Sequence, residues 1–194
     1  MIRPAFLHSL LAALTIVFTP LLEAAEPKDG PLQQAQALAV KGDMKGAIQL
    51  LKGAAEKGNA EAANAVGELY LAGRGVTASA TEAARWFQQA ADASFPPAMV
   101  NLGMLLGKGA EGVQADPDKA QFLIRSAAEE GYAPAQVILG KQAEKEGQDG
   151  GDPVEARAWY EKAAAQENAE GLLAMARFHE IGRASCRERV CLAV

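Results

Sequence analysis

Along most of the chain, apolar residues recur three and four positions apart, the spacing that builds one face of an α-helix. The pattern itself also recurs. Ala-Ala pairs stand at 54/55, 90/91, 127/128 and 163/164, separated by 36, 37 and 36 residues. Seven positions before each pair comes Ala47, Ala83, Ala120 or Ala156, and four before it Leu50, Trp86, Leu123 or Trp159. Leu51, Phe87, Ile124 and Tyr160 follow directly. These positions make the apolar stripe of one amphipathic helix, written four times.

The start of that helix keeps the same phase. Asp43, Ser79, Asp116 and Asp152 each precede the first stripe alanine by four residues, and the side-chain oxygens of such residues cap the free amides of a first turn. Pro117 and Pro153 follow their caps at the first helical position, where a missing N–H is harmless. Another helix precedes each cap. Twelve residues after the Ala-Ala pairs fall Gly67, Gly103, Gly140 and Ala176. Glycine in a helix costs about 1 kcal/mol relative to alanine, so its recurrence predicts a seam where two helices touch backbone to backbone. The extra residue of the 37-residue interval falls in a glycine-rich loop between Gly103 and Asp116. The pattern predicts helices over 31–41, 43–57, 59–72, 79–93, 96–107, 117–130, 133–146, 153–166 and 169–180, and no strand.

The stretch Ala62-Ala-Asn-Ala-Val-Gly67-Glu-Leu-Tyr70-Leu-Ala-Gly73-Arg-Gly75-Val76, continued by Ala83-Ala-Arg-Trp86-Phe-Gln-Gln-Ala90-Ala91, resembles the Sel1-like repeat family, a relative of the tetratricopeptide repeats. Ala98–Gly103 and Glu155–Ala164 fit the same pattern, and the resemblance covers about 43–180. It implies an all-α, right-handed α-solenoid of antiparallel helix pairs, with units at about 31–57, 59–93, 96–130 and 133–166 and a partial one at 169–180. The tyrosine position, Tyr70, becomes Leu106, Ala143 and His179 in later units, and Glu146 replaces a loop glycine.

The two ends read differently. One early positive charge at Arg3, an apolar run from Leu7 through Phe18 and a small-residue exit at Ala24-Ala25 predict a signal peptide over 1–25. Pro20 and Glu23 cut the run short of the roughly 20 residues that a bilayer span needs. Cleavage is expected after Ala24 or Ala25, and export to a periplasm or beyond. Ile181–Val190 resembles the conceptual translation of a sequencing-library adapter, so 181–194 is read as an artefactual tail. Both cysteines, Cys186 and Cys191, lie in it, so no disulfide is inferred.

Composition sharpens this picture. Alanine supplies 42 of the 194 residues, and the net charge is −5. Of the 19 basic and 24 acidic residues, Arg3, Arg183, Arg187, Arg189, Glu23 and Glu188 lie outside 26–180, leaving that body at −7. Such a balance excludes a basic stripe for nucleic acid.

Candidate chemistry is sparse. The body holds one histidine, His179, read as a half-buried packing residue in the register of Tyr70. Ser79, Ser94 and Ser126 form no nucleophile elbow, Glu129-Glu130 reads as a solvated face, and 148–152 lacks the alternating ligands of a calcium loop. No cofactor, metal or catalytic group is expected. Trp86 and Trp159, with Gly67, Gly103 and Gly140, are read as structural repeat positions. First helices of such stacks line a concave face where partners dock. Candidate binding positions there are Glu68, Met104, Lys141 and Arg177, next to the repeat glycine register, together with Asn101. A second row is Asn64, Val100, Val137 and Leu173. The reading is a non-enzymatic exported scaffold for a protein or peptide partner, with no stable membrane span once the signal is removed. The alternative is a hydrolase of cell-wall or β-lactam material, since cysteine-rich relatives of the family are linked to such activity; they carry paired cysteines that this body lacks. If the chain stops near 180, the last helix should leave Leu172, Leu173, Met175 and Phe178 partly bare.

Overall fold

A computed structural model describes residues 30–146 and 152–191, with Glu146 and 181–191 described as backbone alone. Among the described residues there are nine helices: α1 Pro31–Val40, α2 Met44–Glu56, α3 Ala60–Ala72, α4 Ala80–Asp92, α5 Pro96–Lys108, α6 Pro117–Glu129, α7 Ala133–Glu146, α8 Pro153–Ala164 and α9 Ala169–Cys191. Each packs chiefly on its neighbours in sequence, so the architecture is an all-α solenoid of helix pairs. A single antiparallel bridge, Ala110 to Val113, closes the longer loop between α5 and α6 and takes up the extra residue of that unit.

The even helices begin where their caps stand. Asp43 accepts a hydrogen bond from the Gly46 amide at 2.8 Å, Ser79 from Glu82 at 3.2 Å, Asp116 from Lys119 at 3.0 Å and Asp152 from Val154 at 2.8 Å. Asn59 and Asn168 cap α3 and α9 in the same way, accepting from Ala62 and Gly171.

Their ends repeat as faithfully. Gly58, Ser94, Gly131 and Glu167 all have positive φ, between 54° and 92°. The amides of these residues and of their successors bond back to the Ala-Ala carbonyls. In the first unit Gly58 donates to Ala55 at 2.9 Å and Asn59 to Ala54 at 3.1 Å; in the last, Glu167 donates to Ala164 at 2.9 Å and Asn168 to Ala163 at 3.2 Å. This is the Schellman arrangement, which satisfies carbonyls left over at a helix end.

The core follows the stack in three clusters. Ala47, Leu51, Ala55, Ala62, Val66 and Trp86 pack together near the start, Phe87, Leu102, Leu123, Ile124 and Leu139 in the middle, and Ala156, Tyr160, Ala163 and Ala174 at the far end. Phe87 and Tyr160 are fully buried, and burying a side chain of the phenylalanine class contributes about 1.5–3 kcal/mol.

The repeat glycines work differently from the backbone-to-backbone seam expected for them. A Cβ on Gly67 would lie 2.6 Å from the Phe87 ring, and one on Gly140 2.7 Å from the Tyr160 ring. At Gly103 it would meet Ile124 at 2.9 Å and the Ala120 carbonyl at 3.0 Å. Each glycine is thus a socket for the large stripe residue of the following helix, because a helix lacking one Cβ leaves a notch that a ring can fill. Close backbone approach is kept at Gly103, through that Ala120 carbonyl, and is tighter at Gly171, whose Cβ would stand 2.8 Å from the Ala164 nitrogen.

Eight of the nine helices fall within two residues of the expected bounds. The ninth does not. α9 runs helical to Cys191 rather than stopping at 180, since no proline interrupts Ile181–Cys191 and Gly182 alone costs about 1 kcal/mol.

Candidate functional site

At both ends of the stack an odd helix reaches past its neighbour to the next odd one. α1 touches α3, and α7 touches α9, whereas no even-numbered pair packs to the same extent. The odd helices at each end of the stack therefore lie on the same side of it. On the odd helices the residue after each socket, and Arg177 after the exposed Ala176 in the same register, is turned about 100° from the position before it. Glu68, Met104, Lys141 and Arg177 are all exposed accordingly, with Met104 at 49%.

Bonding along this row changes from one end to the other. At the α3 end, Glu68 Oε1 accepts from Asn64 Nδ2 at 2.8 Å and from Asn101 Nδ2 at 3.4 Å, while the same Asn101 nitrogen donates to Asn64 Oδ1 at 2.9 Å. At the α7–α9 end, Lys141 pairs with Glu170, and Arg177 lies 3.9 Å from Glu144. Lys141, Lys145, Arg177, Glu144, Ile138 and Gln142 line an open groove of about 600 Å³ between the two helices. Ion pairs this exposed contribute at most about 1 kcal/mol. They set charge and position more than stability.

Behind the groove, the Tyr160 hydroxyl donates to Glu144 Oε2 at 2.8 Å. Burial, and then this bond to a carboxylate, push the phenol well above its ordinary value near 10. Tyr132, just before α7, is half-buried, and its phenol is shifted upward by burial first and by the negative charge of Glu68 second.

The second candidate row is corrected. Asn64 is 8% exposed, Val100 6% and Val137 2%; only Leu173, at 64%, is open. These positions turn into the interhelical seams, where the two valines pack and Asn64 is held by its amide bonds. Asn101 remains partly accessible as part of the same polar cluster. His179 is likewise exposed rather than half-buried, because α9 packs on α8 and more lightly on α7 while His179 looks away from both. Along α9, Leu172 is 50% exposed, whereas Met175 and Phe178 are partly covered, and Phe178 meets Tyr160 with ring centroids 6.1 Å apart.

Trp86 and Trp159 are both buried; Trp159 donates to Glu155 at 3.2 Å, and the Trp86 indole nitrogen has no partner among the described residues. Asp152 is a helix cap, and the rest of the 148–152 run lies outside the described residues. Among the described residues no three of His, Cys, Asp and Glu gather to hold a metal ion, and no helix is long and apolar enough to cross a membrane. Sequence reasoning missed Tyr132 and the α1–α3 pocket, whose walls come from three helices that no linear motif connects.

Comparison with known proteins agrees with this geometry. The model of the Sel1 repeat matches residues 36–59, 60–95, 96–132 and 133–168. No curated protein matches the sequence significantly. Among solved structures, a Sel1 repeat protein from Oxalobacter formigenes is similar at 27% identity and a TM-score of 0.62, over 74% of this chain and 57% of that one. A protective antigen of uropathogenic Escherichia coli strains that displays an SLR fold is similar at 28% identity and a TM-score of 0.60, over 73% of this chain and 31% of that one. This chain therefore spans less than two thirds of either relative. Four matched units, a side-chain cap in each, glycine sockets in three of them and these two structural likenesses carry one conclusion: the chain belongs to the Sel1 repeat family.

Proposed function

We propose that the protein is a non-catalytic, exported scaffold that binds an extended peptide or protein segment along the inner face of its odd helices. One observation carries the reading. Every recurrent residue has a packing, capping or terminating role, while the row Glu68, Met104, Lys141 and Arg177 recurs in place yet differs in chemistry from unit to unit. A constant frame with a variable exposed row suits recognition of a particular partner. The acidic α3 end and the cationic α7–α9 end would favour a segment of opposite charge order.

Capture from an envelope extract, read by mass spectrometry, tests the reading. The charge-reversal variant Lys141→Glu with Arg177→Glu is expected to lose the partner that the parent chain retains. Unchanged capture would remove the inner face from the proposal. Export is checked separately by fractionation and by sequencing the mature N-terminus, expected at Ala25 or Glu26.

A further inference from the structure

At the α3 end of the inner face, α1, α2 and α3 enclose an open pocket of about 160 Å³. Leu32, Ala35, Ala39, Met44, Leu51 and Leu69 give it apolar walls, and Glu68 and Arg74 are its two charged lining residues. A cavity of about 150 Å³ with walls of this kind accepts a benzene-sized group, so this one has room for a single large aliphatic side chain.

Glu68 has features that set it apart from the rest of the row. Both amide donors that fix its carboxylate, Asn64 and Asn101, go to Oε1. Among the described residues Oε2 has no donor, and Glu68 has no cationic partner, whereas Lys141 and Arg177 each have a carboxylate beside them. Asn64 is itself buried and held by Asn101. The carboxylate is thus held in place with one oxygen free, beside an apolar hole.

We propose that this pocket and Glu68 together form a subsite for a peptide bearing an aliphatic residue next to a basic one, the aliphatic side chain entering between α1, α2 and α3 and the cation meeting Glu68 Oε2. The proposal rests on the scaffold reading above and names the partner chemistry at one end of that face. Arg74 sharpens the prediction, because as a like charge in the same lining it opposes the basic residue.

The test uses the isotopically labelled full chain and three blocked peptides: acetyl-Gly-Leu-Arg-Gly-amide, the Leu-Glu version and the Ala-Arg version. The Leu-Arg peptide is expected to shift the side-chain amide signals of Asn64 and Asn101 and the methyl signals of Met44 and Leu51. It should bind about three- to fivefold more tightly than the Leu-Glu peptide, the scale of one exposed ion pair. It should also bind at least about tenfold more tightly than the Ala-Arg peptide, from the extra apolar area. Glu68→Gln keeps the Oε1 acceptor and the thermal midpoint and should erase the preference for Arg over Glu. Arg74→Ala should tighten the Leu-Arg peptide.

Equal binding of both charges, a preference that survives Glu68→Gln, or weaker binding on Arg74→Ala overturns the proposal. So do contacts in the unliganded protein between residues 1–29 and Met44 or Leu51, which would mean that the chain fills its own pocket. Shifts confined to Met104, Lys141 and Arg177 overturn the pocket while leaving the scaffold reading standing. No shift at millimolar peptide also overturns the pocket, and envelope capture then decides the scaffold reading alone.

Discussion

A glycine can be a socket or a weakness, and this chain has both. Gly67 and Gly53 lie in helices of equal length, yet a Cβ at Gly67 would collide with Phe87, while one at Gly53 would meet nothing within 4 Å. Gly67→Ala should therefore destabilise by about 1–3 kcal/mol through overpacking. Gly53→Ala should stabilise by about 0.5–1 kcal/mol through helix propensity and a less flexible unfolded chain. Urea denaturation of the two variants checks the opposite signs. Tyr160 offers a second test. Its phenol is raised above 10 in the folded state, by burial first and by Glu144 second. The folded protein therefore holds this proton more tightly than the unfolded chain, and the associated stability is present below pH 10 and lost as pH rises beyond it. Denaturation midpoints should fall above pH 10 in the parent protein and fall less in Tyr160→Phe, which cannot ionise.

At the scale of the element, helix ends matter as much as helix faces. Gly58 and Gly131 take the left-handed turn without cost, but Ser94 and Glu167 hold the same positive φ with a Cβ. Left-handed backbone costs an L-residue roughly 1–2 kcal/mol, partly offset by the entropy glycine adds to the unfolded chain. Ser94→Gly and Glu167→Gly should each stabilise by about 0.5–1 kcal/mol, measurable as a raised thermal midpoint. Helices were legible in the sequence because Asp43, Ser79, Asp116 and Asp152 announce their starts and the stripe residues their faces. The terminators were half legible: two of four are glycine, and nothing local tells Ser94 or Glu167 from an ordinary surface residue. The exposure of Glu68, Met104 and Lys141 was legible from register, since Gly67, Gly103 and Gly140 fix the seam and the next residue must turn from it. The burial of Asn64, Val100 and Val137 was not, because a period gives the direction of a side chain but not the width of the seam it meets. The exposure of His179 escaped for a related reason, as register carries over a residue's direction but not the neighbour that would cover it.

Across the whole molecule, each helix depends on the ones beside it, so protection should be graded along the stack. α2 to α8 each pack on both sequence neighbours and α4 to α7 lie furthest from the ends, whereas α1 rests on α2 and α3 alone, and α9 turns Leu172 and Leu173 outward. Hydrogen-exchange mass spectrometry should find the slowest amides in α4–α7 and the fastest in α1 and α9. Uniform protection from Pro31 to Glu180 would show that the stack unfolds as one unit instead.

The recurring left-handed joint has one more consequence. Gly58 and Ser94 stand 36 residues apart with positive φ and the same pair of back-bonds to alanine carbonyls. The chain thus has interchangeable couplings, placed at equal intervals along its length. Excising residues 59–94 would join Gly58 to Phe95 and bring α2 against α5 with the alanine edge that α4 now presents. The shortened protein should keep its helical circular-dichroism signal per residue while losing one step of length. It would also lose Ala65, Glu68, Leu69 and Arg74, the wall facing α1 and α2, and with them the pocket. Length and surface chemistry are therefore separable in this architecture: the couplings measure out how many units there are, and the exposed position after each repeat glycine changes from unit to unit without disturbing them.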